Sequence, residues 1–280
     1  MTLKMVFPLI LFKIKEKKKD YSAEKFVSDK CRMDFLKFGS GDRNLIIIPA
    51  LNVKSILTMA DVIVQGNSIF SKNGFSVYVF DRREDASYPY SIEQMASDTF
   101  YVLKELALEN IFLYGHSQGG MLAQSMVLQE QERINKVIFS STVSHLNGNA
   151  KAVLTKWIDF AQHSDVQGLY DDFEKTIFSE GFARIAHQAM MDEVKTVTDD
   201  ELRNFIPHTE NMFSFDVTDK LEKIKTDSFV IGSKADKVFD YELVKELAEK
   251  SHSKSFFFEN ADTVLLLNPQ NIIRGFLIFF

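Results

Sequence analysis

The stretch IFLYGHSQGGMLAQ, from Ile111 to Gln124, restricts the fold more than any other. An apolar run of strand length, Ile111 to Gly115, meets helical spacing from Gln118 to Gln129. Between them stands Gly115-His116-Ser117-Gln118-Gly119. Gly-x-Ser-x-Gly at a strand-to-helix junction sets the serine on a tight, strained turn, the nucleophile elbow. The flanking glycines let neighbouring backbone approach closely. Such a turn lifts the Ser117 hydroxyl above a sheet. It also places the amide of Gln118 at a helix N-terminus, where it can donate to an oxyanion.

The same alternation runs through most of the chain. NLIIIPA (Asn44 to Ala50), FSVYVFD (Phe75 to Asp81), KVIFSS (Lys136 to Ser141), SFVIG (Ser228 to Gly232) and KSFFFE (Lys254 to Glu259) read as strands. Helical spacing fills Ser55 to Phe70, Ser91 to Leu108 and Tyr241 to Lys250, and a last helix is expected near Pro269. Ser91 with Gln94 has the spacing of a capping box. From about His145 to Met212 the strands stop, and AVLTKWIDFA and FARIAHQAMM read as helices. Strand–helix alternation predicts an α/β fold, with a mostly parallel sheet and helices on both faces. Residues 31–144 and 213–280 should form one core, 145–212 a helical cap insertion, and 1–30 an N-terminal extension.

Composition removes several function classes. The 280 residues carry a formal net charge of −6, with no extended basic face, so nucleic acid is not an expected partner. The single cysteine, Cys31, cannot form an internal disulfide, which fits a cytoplasmic chain. The apolar run MVFPLILF falls well short of the ~20 residues that a bilayer span needs, so no stable membrane insertion is expected. No Cys/His cluster has zinc spacing and no glycine-rich phosphate loop occurs, so neither a metal nor a cofactor is expected. The charge-dense DRRED (Asp81 to Asp85) reads as a surface ion-pair cluster. The partner expected is a small-molecule substrate.

IIIPALNVKS, YVFDRRED, LYGHSQGGMLAQ and IGSKADKVF together resemble a capped α/β-hydrolase, over roughly Cys31 to Phe280. The resemblance implies an eight-stranded, mostly parallel sheet and a Ser–Asp–His triad in that chain order. It makes Ser117 the nucleophile and Asp236 the acid, and it forms an oxyanion hole from the amides of Leu51 or Asn52 with that of Gln118. Two positions depart from the family pattern. Ala50 stands where glycine is usual, which distorts the hole if the backbone there needs positive φ and is nearly neutral otherwise. Asp262 stands where the histidine belongs, and no histidine follows it. An unperturbed aspartate, with a pKa of about 3.9, is a poor base for a serine near neutral pH. His145 and His208 are the replacement candidates, both expected beyond hydrogen-bond reach of the Ser117 hydroxyl. Two readings stay open. One is a serine hydrolase for a small ester, thioester or amide, acting through Ser117 with impaired activity. The other is a catalytically inactive hydrolase-fold binding module that retains the pocket.

Overall fold

Branched and aromatic side chains pack well on a pleated surface. Eight runs rich in them form strands: β1 (Tyr21–Val27), β2 (Arg32–Phe38), β3 (Arg43–Ile48), β4 (Phe75–Arg83), β5 (Ile111–His116), β6 (Ile134–Ser140), β7 (Asp227–Ser233) and β8 (Lys254–Phe258). The structure, a computed structural model, describes residues 20–86, 88–178, 180–259 and 279. The strands make one sheet in the order β1-β2-β4-β3-β5-β6-β7-β8. The pairs β1–β2 and β2–β4 are antiparallel, and the remaining pairs are parallel. The expected α/β architecture, a mostly parallel eight-stranded sheet, is the one observed. The sheet also takes in β1, inside the stretch 1–30 that the sequence left as an extension. YSAEKFV mixes charged and apolar residues and is only half-buried, so its strand character emerges only through pairing with β2.

Eight helices are described: α1 (Ala60–Lys72), α2 (Ile92–Glu105), α3 (Gln118–Glu130), α4 (Gly148–Gln162), α5 (Val166–Ile177), α6 (Glu180–Val194), α7 (Asp199–Glu210) and α8 (Tyr241–Lys250). Side chains alternate across a strand with period two, so a strand buried on both faces feeds two cores. In β3, Ile46 and Ile48 enter one cluster, together with buried residues of α2, α3 and α8. Leu45 and Ile47 enter the other, with Ala60 and Phe70 of α1 and with Phe279. The Ser91 capping box at the start of α2 is complete in both directions.

The stretch without expected strands holds α4 to α7. It leaves and rejoins the core at one place, where His145 and Asp216 form an isolated bridge and the Val217 N–H donates to the Ser144 carbonyl over 3.1 Å. Inside it Trp157 meets Phe173 edge-on, with centroids 4.7 Å apart, and donates to Asp172 Oδ2 over 2.9 Å. The expected helix near Pro269 lies outside the described residues.

Candidate active site

Ser117 bridges β5 and α3 with φ 54° and ψ −120°, a backbone state that L-residues adopt only under constraint. The constraint is visible on both sides. The Ser117 N–H donates to the Ser140 carbonyl over 2.9 Å, and its own carbonyl accepts from the Gly120 N–H over 2.8 Å. The glycines allow the close approach. A Cβ on Gly115 would stand 2.4 Å from the Gly119 carbonyl oxygen, and one on Gly119 would stand 2.1 Å from that of Ile48. The second contact presses the elbow against the end of β3, which is where the loop carrying Ala50, Leu51 and Asn52 begins.

Ala50 is not among the described residues with positive φ, so the glycine-to-alanine departure leaves this backbone unstrained. The backbone N–H groups of Leu51 and Gln118 make no hydrogen bond among the described residues. Gln118 adjoins the elbow serine, and Leu51 lies on the loop that begins against Gly119. The Asn52 side chain turns back onto its own loop and donates to the Lys54 carbonyl.

Asp236 follows β7, two strands along the sheet from β5 and so about 10 Å across at the same carboxyl edge. Its Oδ1 accepts the N–H groups of Val238 (2.9 Å) and Phe239 (3.0 Å), which fixes the loop. Asp262 lies outside the described residues. Neither His145 nor His208 hydrogen-bonds Ser117. The Nδ1 of His145 meets Thr218 Oγ1 at 3.0 Å, and the Nε2 of His208 meets Tyr88 Oη at 3.2 Å. His116 is buried, with Nδ1 3.2 Å from Ser140 Oγ. Burial pushes its pKa down to about 4. Burial, with the Arg82 charge as a second cause, pushes His208 down to about 3. Both rings are therefore neutral near neutral pH.

Sequence reasoning missed the residues that tie these parts together. The Oε1 of Gln118 accepts from Arg82, through Nε at 3.0 Å and Nη2 at 2.8 Å. Its Nε2 donates to the His208 carbonyl, in the last turn of α7, and lies 3.3 Å from Asn211 Oδ1. Carbonyls in a last helical turn lack intrahelical partners, so Gln118 completes α7 while it starts α3. Of DRRED, Arg83 does form the expected ion pairs, with Asp85 (2.9 Å) and Asp98 (3.0 Å). Arg82 turns the other way. A signal existed: alternation along β4 puts Arg82 on the face of the buried Tyr78 and Phe80. Among the described residues no helix is long and apolar enough to cross a membrane, and no group of three or more His, Cys, Asp or Glu side chains could hold a metal ion.

Sheet order and elbow together define an α/β hydrolase. A family model described as serine aminopeptidase, S33, matches residues 65–263, and the chain belongs to that family. It is 24% identical over 213 residues to 3-oxoadipate enol-lactonase 2 of Acinetobacter baylyi, covering 74% of this chain and 76% of the relative. It is also 24% identical over 164 residues to RutD of Rhizobium rhizogenes, named a carbamate hydrolase. That match covers 56% of this chain and 61% of the relative's length. Among solved structures, the fold matches MGS-M2, an α/β hydrolase enzyme from a Medee basin deep-sea metagenome library. The TM-score is 0.80 at 17% identity, over 92% of this chain and 97% of that one.

Proposed function

We propose that the protein is a serine hydrolase that opens a small ester, thioester or amide through Ser117, with Asp236 as the triad acid. The observation that carries this reading is the strained turn at Ser117, with the unspent amide of Gln118 next to it and that of Leu51 on the loop that begins against Gly119. In the proposed reaction Ser117 Oγ adds to the acyl carbon while the carbonyl oxygen takes up negative charge in the hole. The leaving alcohol, thiol or amine departs with a proton, and water then releases the acid. The names of two relatives, an enol-lactonase and a carbamate hydrolase, support an acyl substrate of this size and class. The residue at the base position, Asp262, makes the reaction slow: loss of one triad member leaves about 10³–10⁴-fold acceleration over water.

A specific observation favours a second reading, a binding module that keeps the pocket without turnover. No described histidine bonds Ser117, and the sequence carries none after Asp262. Fluorophosphonate labelling separates the two. The hydrolase reading expects labelling that disappears in Ser117→Ala. Asp262→His should raise hydrolysis of short p-nitrophenyl esters by at least about 100-fold. A natural chain that never labels, together with an Asp262→His chain that stays inert, would leave the binding module standing. Rates across acyl chain lengths would then define the substrate.

A further inference from the structure

Arg82 lies at the carboxyl end of β4, next to the loop that follows β3. Its guanidinium makes four hydrogen bonds, all to neutral oxygens. Two go to Gln118 Oε1, one to the Pro49 carbonyl at 2.8 Å, and a longer one to the Ala50 carbonyl at 3.4 Å. Among the described residues it has no ion pair. Burial lowers its pKa to about 10 against the opposing pull of the Asp81 charge, so the group is still charged at neutral pH. A partly buried cation that touches no carboxylate, with only the Asp81 charge acting on it from nearby, is an expensive way to brace a loop, because desolvating a charge is costly unless something negative compensates fully. The arrangement makes sense if negative charge appears nearby during the reaction.

Peptide geometry says where. A trans peptide is planar, and its C=O and N–H point in opposite directions. Holding the Ala50 carbonyl therefore aims the Leu51 N–H away from Arg82. Holding the Pro49 carbonyl does the same for the Ala50 N–H. The same fork pins the Gln118 side chain, whose other end is held by the last turn of α7. One rigid planar group spans three acceptors, which a lysine's point charge cannot do.

We propose that Arg82 is the positioning residue of the oxyanion hole, bracing from behind the peptide groups whose amides face the reacting oxygen and polarising them. This rests on the reading of Ser117 as nucleophile. The uncharged substrate gains little from such a brace. The anionic intermediate gains much, so the effect falls on the bond-forming step and not on substrate binding.

The test compares the natural chain with Arg82→Met and Arg82→Lys in three measurements: the rate of Ser117 labelling by a fluorophosphonate, kcat and KM on a neutral short-chain ester, and hydrogen exchange at the Ile56 amide, which closes the same loop by donating to Asp81 Oδ2 over 3.0 Å. Arg82→Met should label about 10- to 100-fold more slowly and lose kcat with KM little changed. The Ile56 amide should exchange at least about tenfold faster, as a released loop would. Arg82→Lys keeps the charge without the fork and should fall between. Labelling and exchange in Arg82→Met that match the natural chain would overturn the proposal. If Arg82→Met does not fold, Arg82→Lys decides, and natural labelling and exchange in that variant would overturn it as well. If the natural chain itself fails to label at Ser117, the nucleophile reading falls. Ile56 exchange then judges the brace alone, supporting it if faster in the variants and refuting it if unchanged.

Discussion

At Gly119 one methyl group decides whether the elbow can form. An added Cβ would stand 2.1 Å from the Ile48 carbonyl oxygen and 2.5 Å from that of Pro49, and both are backbone atoms of a central strand's end. Neither can swing aside as a flexible side chain would. Gly119→Ala should therefore lose roughly 3 kcal/mol of stability or more, read as a lowered urea midpoint. Ser117→Gly should have the opposite sign. It relieves a φ of 54° while removing the hydroxyl, so it should gain about 1 kcal/mol and lose all labelling. Opposite signs at positions two residues apart would show that the strain sits at the serine and the space at the glycine. The motif was legible in sequence because its requirements are local: a tight turn and close neighbours. Arg82 was not, because a charge in DRRED looks like its neighbours. Only the continuation of alternation from Tyr78 and Phe80 distinguishes an inward arginine from Arg83, which pairs with Asp85 and Asp98.

Among the elements, α7 links the helical stretch to the candidate site. Its first turn is closed by a capping box, in which Thr198 Oγ1 accepts from the Glu201 N–H and the Glu201 carboxylate accepts from the Thr198 N–H. The Glu201 carboxylate also meets Lys54 Nζ at 3.2 Å, and the same ammonium lies 3.1 Å from the Thr196 carbonyl. Lys54 belongs to the loop after β3, which carries Leu51. One end of α7 therefore holds the loop after β3 while the other accepts from Gln118. Thr198→Ala should cost about 1 kcal/mol through the lost cap. A double-mutant cycle on Lys54→Met and Glu201→Gln should return a coupling of about 1 kcal/mol, since the pair is partly buried but not dry. A coupling near zero would mean that α7 rests on the core by packing alone. Helical spacing in the sequence marked the whole stretch 145–212 as helical without singling out α7, although Thr198 to Glu201 has capping-box spacing. Its partners were hidden because contacts between residues 54 and 201 follow from topology, which local pattern does not encode.

For the molecule as a whole, the two buried histidines make stability depend on pH in a defined window. An exposed histidine in the unfolded chain has a pKa near 6.5. In the fold, burial holds His116 at about 4, while burial and then the Arg82 charge hold His208 at about 3. Both folded values are depressed, so below pH 6.5 the unfolded chain binds protons that the native one refuses. Stability is then full above about pH 7 and falls with decreasing pH, by roughly 1.4 kcal/mol per unit for each ring. Below about pH 4 His116 can protonate in place, and only His208 continues the trend, down to about pH 3. Urea unfolding at pH 7.5 and pH 5.0 should therefore differ by about 3–4 kcal/mol, with little change between pH 7.5 and 8.5. His208→Gln keeps a hydrogen-bonding atom near Tyr88 and removes the titration, so it should remove about half of that difference. His116→Asn should remove the other half. A natural chain whose stability is level from pH 7.5 to 5.0 would mean that both rings take up a proton without unfolding. The imidazoles on Ser140 and Tyr88 would then carry charge inside the fold in place of neutral packing.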